Sequence, residues 1–166
     1  MKGYYNMNKQ CLICDEIKDT EEGFYKQKEY LDGHQNVCKV CQGKRFLVAR
    51  ARRWSADPKA FLVELYHQTK ATAFKATKAF DITHTELIEI YNEQKGLCKL
   101  SGRVLEVPQG TKYRSNTTMS VCLINAYGTY SKDNIQLVCY AVFKMKNNLT
   151  NEQLKSWCKD IDNLTK

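Results

Sequence analysis

The middle of the chain has apolar residues at the spacing of two amphipathic helices. Asp57 is placed to cap a first helix, Pro58 suits its first position, and apolar residues recur at helical spacing over 61–66. We therefore expect a helix from 58 to about 80. The run 83–86, Thr-His-Thr-Glu, matches a capping box and predicts a second, shorter helix that ends at Gly96.

After residue 97 the pattern changes to short apolar runs separated by turn residues, which is typical of strands. A buried strand is predicted over 119–124, while 134–139 is predicted to be a strand or the entry to a helix. Residues 140–147 are helical in composition. Thr150 and Gln153 match a second capping box, and the apolar residues that follow at helical spacing predict a closing helix. The whole pattern predicts an α+β fold.

Eight cysteines are present, and their spacing singles out four of them. Cys11 and Cys14 form one Cys-x-x-Cys knuckle, and Cys38 and Cys41 form another, with 23 residues between the two. Two knuckles can surround one Zn²⁺ with four sulfurs at about 2.3 Å, which leaves no open position. We therefore predict a structural Zn²⁺; reduced core thiols and redox or iron–sulfur chemistry are the alternatives. His34 is predicted to be a turn residue, because four thiols already satisfy the metal.

A strongly positive helix is predicted directly after the second knuckle. Residues 42–54 are rich in helix formers and contain five cations and no acid. These cations are Lys44, Arg45, Arg50, Arg52 and Arg53. Along one flank of a helix they can neutralise phosphates, while Phe46, Leu47 and Trp54 are expected to anchor the other flank. A solvated connecting helix is the alternative interpretation.

The composition is that of a globular protein with excess positive charge. Apolar residues make up 43% of the 166 residues and charged residues 27%, and 26 Lys and Arg against 18 Asp and Glu give a net charge of +8. Such an excess favours polyanionic partners, of which nucleic acid is the first expectation. No run of about 18 apolar residues appears, and the start of the chain lacks the apolar core of a secretory signal. We expect a cytoplasmic protein without a membrane span.

Four stretches of the C-terminal part carry a recognisable pattern: GLCxxSG from 96, SVCLIN from 120, GxYxxxNIQLVC from 128 and FKMK from 143. These stretches resemble those of the small HNH-type endonucleases of bacteriophages. In the family pattern, Ser-x-Asp-Arg-Ile-Asp precedes Gly-Tyr, and Asn-Ile-Gln-Leu-Val-Cys precedes Asn-x-Met-Lys. Zinc knuckles, a basic helix and a helical spacer precede this part in the same order, so the resemblance covers most of the chain. It implies a ββα-metal fold.

The resemblance also implies a divalent ion, held by an acid on the first strand and a His or Asn on the helix, with a basic residue beside the acid. Here Cys122 stands in place of the acid, Leu123 in place of its neighbour, and Phe143 in place of the helix ligand. A hard Mg²⁺-like ion needs oxygen or imidazole ligands, and a soft thiol suits Zn²⁺ instead. Asn134, which braces the loop in the family, is retained. We therefore expect a former active site that is packed into the core.

The first functional hypothesis is a catalytically degenerate HNH-like phage protein. It keeps its structural Zn²⁺ and binds duplex DNA, a host or defence protein, or both, as a regulator or anti-defence factor. Lys144 and Lys146 join the five cations of the basic helix as predicted DNA contacts. The predicted organisation is a zinc module over 1–45, a basic and amphipathic helical linker over 46–95, and an HNH-like ββα domain over 96–166.

Two alternatives stay open. The first is an active, divergent HNH endonuclease or nickase that uses Mg²⁺, with Asn125, His84 or Asn147 supplying the missing ligand. The second is a zinc adaptor that binds a host protein and no nucleic acid.

Overall fold

The computed structural model describes residues 7–109 and 114–164. The chain divides into two compact units, Met1–Arg50 and Ala51–Lys166. Both units combine helices with two-stranded sheets, so the predicted α+β class is confirmed. The domain boundaries expected near 45 and 95 stay predictions. Within the described ranges, no helix has both the length and the apolar character needed to cross a bilayer.

The first unit consists of two hairpins, one short helix and the beginning of a long helix. Its elements, in chain order, are β1 (Asn8–Gln10), β2 (Ile17–Asp19), α1 (Thr20–Gly23), β3 (Phe24–Lys26) and β4 (His34–Cys38). Strand β1 pairs antiparallel with β2, and β3 with β4, so each pair forms a hairpin. The buried cluster contains Phe24 and three of the knuckle cysteines, with Cys14 packed against it. This apolar core is too small to stabilise the unit without a further contribution.

His34 is the first residue of β4, and the prediction that it lies in a turn is wrong. Its side chain is buried, and its Nδ1 lies 2.9 Å from the carbonyl oxygen of Asp32. The turn ends one residue earlier, at Gly33, where a φ of 71° requires the left-handed region that glycine enters without strain.

Two long helices follow each other closely. Helix α2 (Lys39–Ala56) begins between the second pair of cysteines, and α3 (Pro58–Lys75) is capped as predicted, because the Asp57 side chain accepts a hydrogen bond from the Lys59 N–H. Helix α3 ends before residue 80 because Thr77 adopts a φ of 53° and the chain turns there. The N–H of Lys78 closes the turn on the carbonyl of Ala73 at 2.9 Å.

The apolar flank of α2 is buried only in part. Trp54 is 2% exposed and packs edge-to-face on Phe61, as an anchoring residue should. Phe46 is 63% exposed, so its predicted anchoring role is wrong, and Leu47 is also partly exposed.

The second unit centres on an antiparallel strand pair with a helix packed on it. Its remaining elements are β5 (Phe80–Asp81), α4 (His84–Glu93), β6 (Met119–Leu123), β7 (Tyr130–Ser131), β8 (Ile135–Cys139), α5 (Tyr140–Lys146) and α6 (Asn151–Leu164). Strands β6 and β8 pair antiparallel over five residues each, and β5 pairs parallel with β7. Helix α5 leaves β8 directly, which gives the β6–β8–α5 order of a ββα unit.

Both predicted capping boxes are present. Thr83 and Glu86 exchange backbone and side-chain hydrogen bonds at 2.8 and 3.2 Å, and Thr150 and Gln153 do so at 2.9 and 3.1 Å. The closing helix α6 therefore starts where predicted. Its apolar side chains are not all buried, since Leu154 is enclosed but Trp157 is 60% exposed.

Candidate functional site

The first candidate site is the group of four thiols in the first unit. The Sγ atoms of Cys11, Cys14, Cys38 and Cys41 all lie within 4.8 Å of one another, and those of Cys14 and Cys38 are 3.9 Å apart. A tetrahedron with Zn–S bonds of about 2.3 Å has edges of about 3.8 Å. The spacing therefore fits one metal ion such as Zn²⁺, with all four predicted ligands brought together.

Local backbone geometry positions these thiols. The turn between β1 and β2 holds Cys11 and Cys14, and it closes through a 2.9 Å hydrogen bond from the Asp15 N–H to the Cys11 carbonyl. Cys38 ends β4, and Cys41 lies in the first turn of α2. Both knuckles are thus fixed by the start or end of a regular element.

The electrostatics of the group also fit a cation. Burial alone would raise the pKa of the Cys11 thiol, but hydrogen bonds from backbone N–H groups have the larger effect and lower that pKa to about 6. Two of these donors, the N–H groups of Cys38 and Ile13, lie 3.3 and 3.4 Å from the Cys11 sulfur. Burial and the neighbouring sulfurs raise the pKa of Cys41 to about 12. Four thiolates this close repel one another unless a dication lies between them, and such an ion would favour the ionised form of all four.

The second candidate site is a cleft on the ββα unit. It has a volume of about 340 Å³ and lies between the end of β6, the loop that follows β6, and α5. Cys122, Leu123 and Phe143 all line this cleft. The structure therefore brings together the three positions that the resemblance implies for one site.

The side chains at these three positions differ in exposure. Cys122 is buried on β6, opposite Gln136 of β8, and burial raises the pKa of its thiol. Leu123 is half-buried, and Phe143 is 37% exposed. The expectation that this site is packed into the core holds for two of the three positions: Cys122 belongs to the buried core and Leu123 packs against it, whereas Phe143 stays partly exposed in the wall of an open cleft.

Asn134 fixes the loop that borders the cleft. Its Oδ1 accepts a hydrogen bond from the Asn125 N–H at 2.8 Å, and its Nδ2 donates to the carbonyls of Asn125 and Thr129 at 3.1 and 2.8 Å. Gly128 is required beside it, because a Cβ on that residue would lie 2.6 Å from Nδ2 of Asn134. Asn134 thus makes the bracing contacts that the resemblance implies.

Lys146 does not have the surface position expected of a DNA contact. It is 0% exposed, and its Nζ donates to the carbonyls of Leu123, Ile124 and Leu149 at 2.9, 3.1 and 2.6 Å. Three backbone acceptors offset the cost of burying the ammonium, so the prediction that it contacts DNA is wrong. Lys144, two residues earlier, is exposed and lines the cleft.

The cations of α2 divide by exposure. Lys44, Arg45, Arg52 and Arg53 are exposed, whereas Arg50 is half-buried. Four of the five side chains can therefore reach a polyanion without rearrangement.

Several residues of the cleft were not predicted from sequence. Lys78, Tyr130 and Asn148 line it, and Asn147 joins them, as one alternative had suggested. Asn147 ends α5 with a φ of 43° and a ψ of −114°, a combination that residues other than glycine rarely adopt. His84 lies at the exposed start of α4 and is not part of the cleft wall.

Comparisons with known proteins give little further information. No family model matches the chain. No curated protein matches it either. A solved structure of the rare-cutting HNH restriction endonuclease PacI aligns with a TM-score of 0.43 and 16% sequence identity, over 94% of each chain. At this identity and TM-score the similarity identifies neither an activity nor a site residue of this chain.

Proposed function

We propose that this protein is a catalytically degenerate HNH-endonuclease-like DNA-binding protein with a structural Zn²⁺. One observation carries the proposal: the positions expected to hold and use a catalytic ion meet in one cleft, and they are occupied by Cys122, Leu123 and Phe143. The framework around them is intact, because Asn134 still braces the loop. A binding protein that descends from an enzyme keeps its framework and loses its reactive groups.

The chemistry of phosphodiester cleavage explains why these residues matter. A hard ion must polarise the phosphate, and a base or the ion itself must generate hydroxide. Leu123 and Phe143 have no lone pair to offer, and the buried Cys122 thiol is protonated at neutral pH because burial raises its pKa. Loss of ion and base together removes most of the roughly 8 kcal/mol or more that even a modest enzyme supplies.

The DNA-binding part of the proposal is supported by charge. The chain carries a net charge of +8, and four cations of α2 are exposed. Each phosphate neutralised by such a side chain releases counterions, so log affinity should fall with log salt concentration by about 0.9 per contact. In this proposal the Zn²⁺ stabilises the unit from which α2 starts, and the protein serves a phage as a regulator or an anti-defence factor.

A specific observation favours the alternative of an active, divergent nuclease. Asn147 lies in the cleft wall with its backbone in the left-handed region, and such strain gathers at functional sites. Its amide oxygen is a suitable ligand for Mg²⁺. In this alternative Asn147 would replace the helix ligand that Phe143 does not provide.

Two assays on one preparation separate the proposals. The first measures duplex DNA binding by fluorescence anisotropy over a range of salt concentrations; the second follows nicking of supercoiled plasmid with Mg²⁺ or Mn²⁺, with and without chelator. The proposal expects salt-dependent binding and no metal-dependent nicking. Nicking that chelator abolishes and Asn147→Ala removes would replace it with the active nuclease. Absence of duplex binding at low salt would favour the zinc adaptor.

A further inference from the structure

The cleft on the ββα unit carries positive charge without a matching acid. Lys78 and Lys144 line it, and among the described residues of its wall there is no Asp or Glu. The buried Lys146 ammonium adds to the positive potential of the cleft, because it donates to the carbonyl of Leu123, a residue of the cleft wall. Like charges that face one pocket without a counterion favour an anionic ligand.

An aromatic surface lies beside this charge. Phe143 is 37% exposed, and its ring lies nearly parallel to that of Tyr140, with 20° between the planes and 6.4 Å between the centroids. The Arg114 guanidinium lies over the Tyr140 ring at 5.0 Å from its centroid. An exposed ring held in a stack with another ring and a cation is a platform on which a nucleobase can stack.

A second depression shares part of its wall with the cleft. This depression has a volume of about 190 Å³, and it shares Val121, Tyr130 and Phe143 with the first. Arg114 lines the second depression but not the first. We call the two depressions together the groove; Phe143 lines both of them, Lys144 lines only the first and Arg114 only the second.

From this geometry we infer that the groove binds a short unpaired stretch of a DNA strand, with one base stacked on Phe143 and the flanking phosphates on Lys144 and Arg114. Its first depression, at about 340 Å³, is within the size range of pockets that hold small ligands. A paired base cannot stack on Phe143, because both of its faces already stack on its neighbours. The inference rests on the proposed DNA binding and specifies which DNA is preferred: duplex with a gap or bubble over fully paired duplex.

The test compares three fluorescent probes by anisotropy with the full-length protein: a fully paired duplex, the same duplex with a few unpaired bases in one strand, and a free deoxynucleotide. We expect the unpaired probe to bind about five-fold or more tightly than the duplex, since stacking of one base contributes a factor of that order or larger. A 2-aminopurine placed at the unpaired position should change its fluorescence on binding, which a purely structural role for Phe143 would not produce.

Substitutions of Phe143 test whether this residue causes the preference for unpaired bases. Phe143→Ala should abolish the preference for the unpaired probe over the paired duplex, while Phe143→Tyr should retain it. Phe74→Ala is the matched control, because Phe74 is 86% exposed on α3 in the same unit and does not line the groove. Thermal melting checks that each variant is folded.

Each outcome decides a separate question. Duplex binding without preference for unpaired bases, or equal effects of Phe143→Ala and Phe74→Ala, would overturn the groove inference and leave the proposed function standing. No binding of any DNA would overturn both. Binding of the free deoxynucleotide as tight as that of the unpaired probe would overturn the assignment to a DNA strand.

Discussion

The buried ammonium of Lys146 donates a 2.9 Å hydrogen bond to the carbonyl of Leu123, the last residue of β6. The same ammonium binds the carbonyls of Ile124 and Leu149. It therefore ties the strand that forms one wall of the cleft to the segment that follows α5. Lys144, one half-turn earlier on α5, is exposed at the cleft. Two lysines two residues apart thus have different environments, since one is buried among backbone acceptors and the other is exposed at the cleft.

Lys146→Met is expected to destabilise the second unit by about 2–4 kcal/mol, because it leaves buried carbonyls without a donor. Lys144→Met is the matched control, and as an exposed substitution it should change stability by less than about 0.5 kcal/mol. Urea unfolding of both variants measures the difference. Equal unfolding midpoints would show that the bonds of Lys146 contribute nothing.

Gly128 and Asn134 are expected to be energetically coupled. Gly128→Ala places a Cβ 2.6 Å from the Asn134 amide nitrogen and should cost about 1–3 kcal/mol. In an Asn134→Ala background that clash is absent, so the same substitution should cost at least about 1 kcal/mol less. A double-mutant cycle by thermal melting checks this. Additive costs would mean that the side chain of Asn134 does not occupy the position assigned to it.

Cys38→Ser should unfold the first unit and lower the metal content below one ion per chain. A structural zinc contributes on the order of 10 kcal/mol to the folding of small modules, and the apolar core of this unit is small. Cys158→Ser is the control, because Cys158 is exposed on α6 and outside the thiol cluster. Metal analysis and limited proteolysis provide the measurements. If Cys38→Ser keeps its metal and its protease resistance, the zinc site is refuted.

Removal of Arg52 and Arg53 together is expected to weaken duplex binding and to reduce its salt dependence. Loss of two phosphate contacts should lower the slope of log affinity against log salt by about 1.8. The variant Lys155→Ala/Lys159→Ala removes the same charge from exposed positions on α6 and should change the slope little. Identical slopes for the two variants would indicate a general effect of net charge and not a contact surface on α2.

Local signals in the sequence predicted much of the fold. Capping boxes at Thr83 and Thr150 were correct because a cap depends on residues within one turn of each other. The four thiols predicted to lie together do so, because Cys-x-x-Cys spacing fixes the two sulfurs of each pair through the backbone that joins them.

Contacts between distant parts of the chain were not predictable in the same way. Burial of Lys146 depends on carbonyls that β6 brings to it from 22 and 23 residues away. Lys78 reaches the cleft because its Nζ binds the carbonyl of Ala126, 48 residues later. Nothing in the local pattern around Phe143 indicated that its side chain stays 37% exposed, because that exposure depends on which distant elements cover the helix.

A degenerate site of the proposed kind does not hold a hard catalytic cation in the cleft between β6 and α5. Crystals soaked in Mn²⁺, with anomalous scattering recorded near the manganese edge, test it directly. We expect no anomalous peak from manganese between β6 and α5. A manganese ion bound beside Cys122 or Asn147 would contradict it.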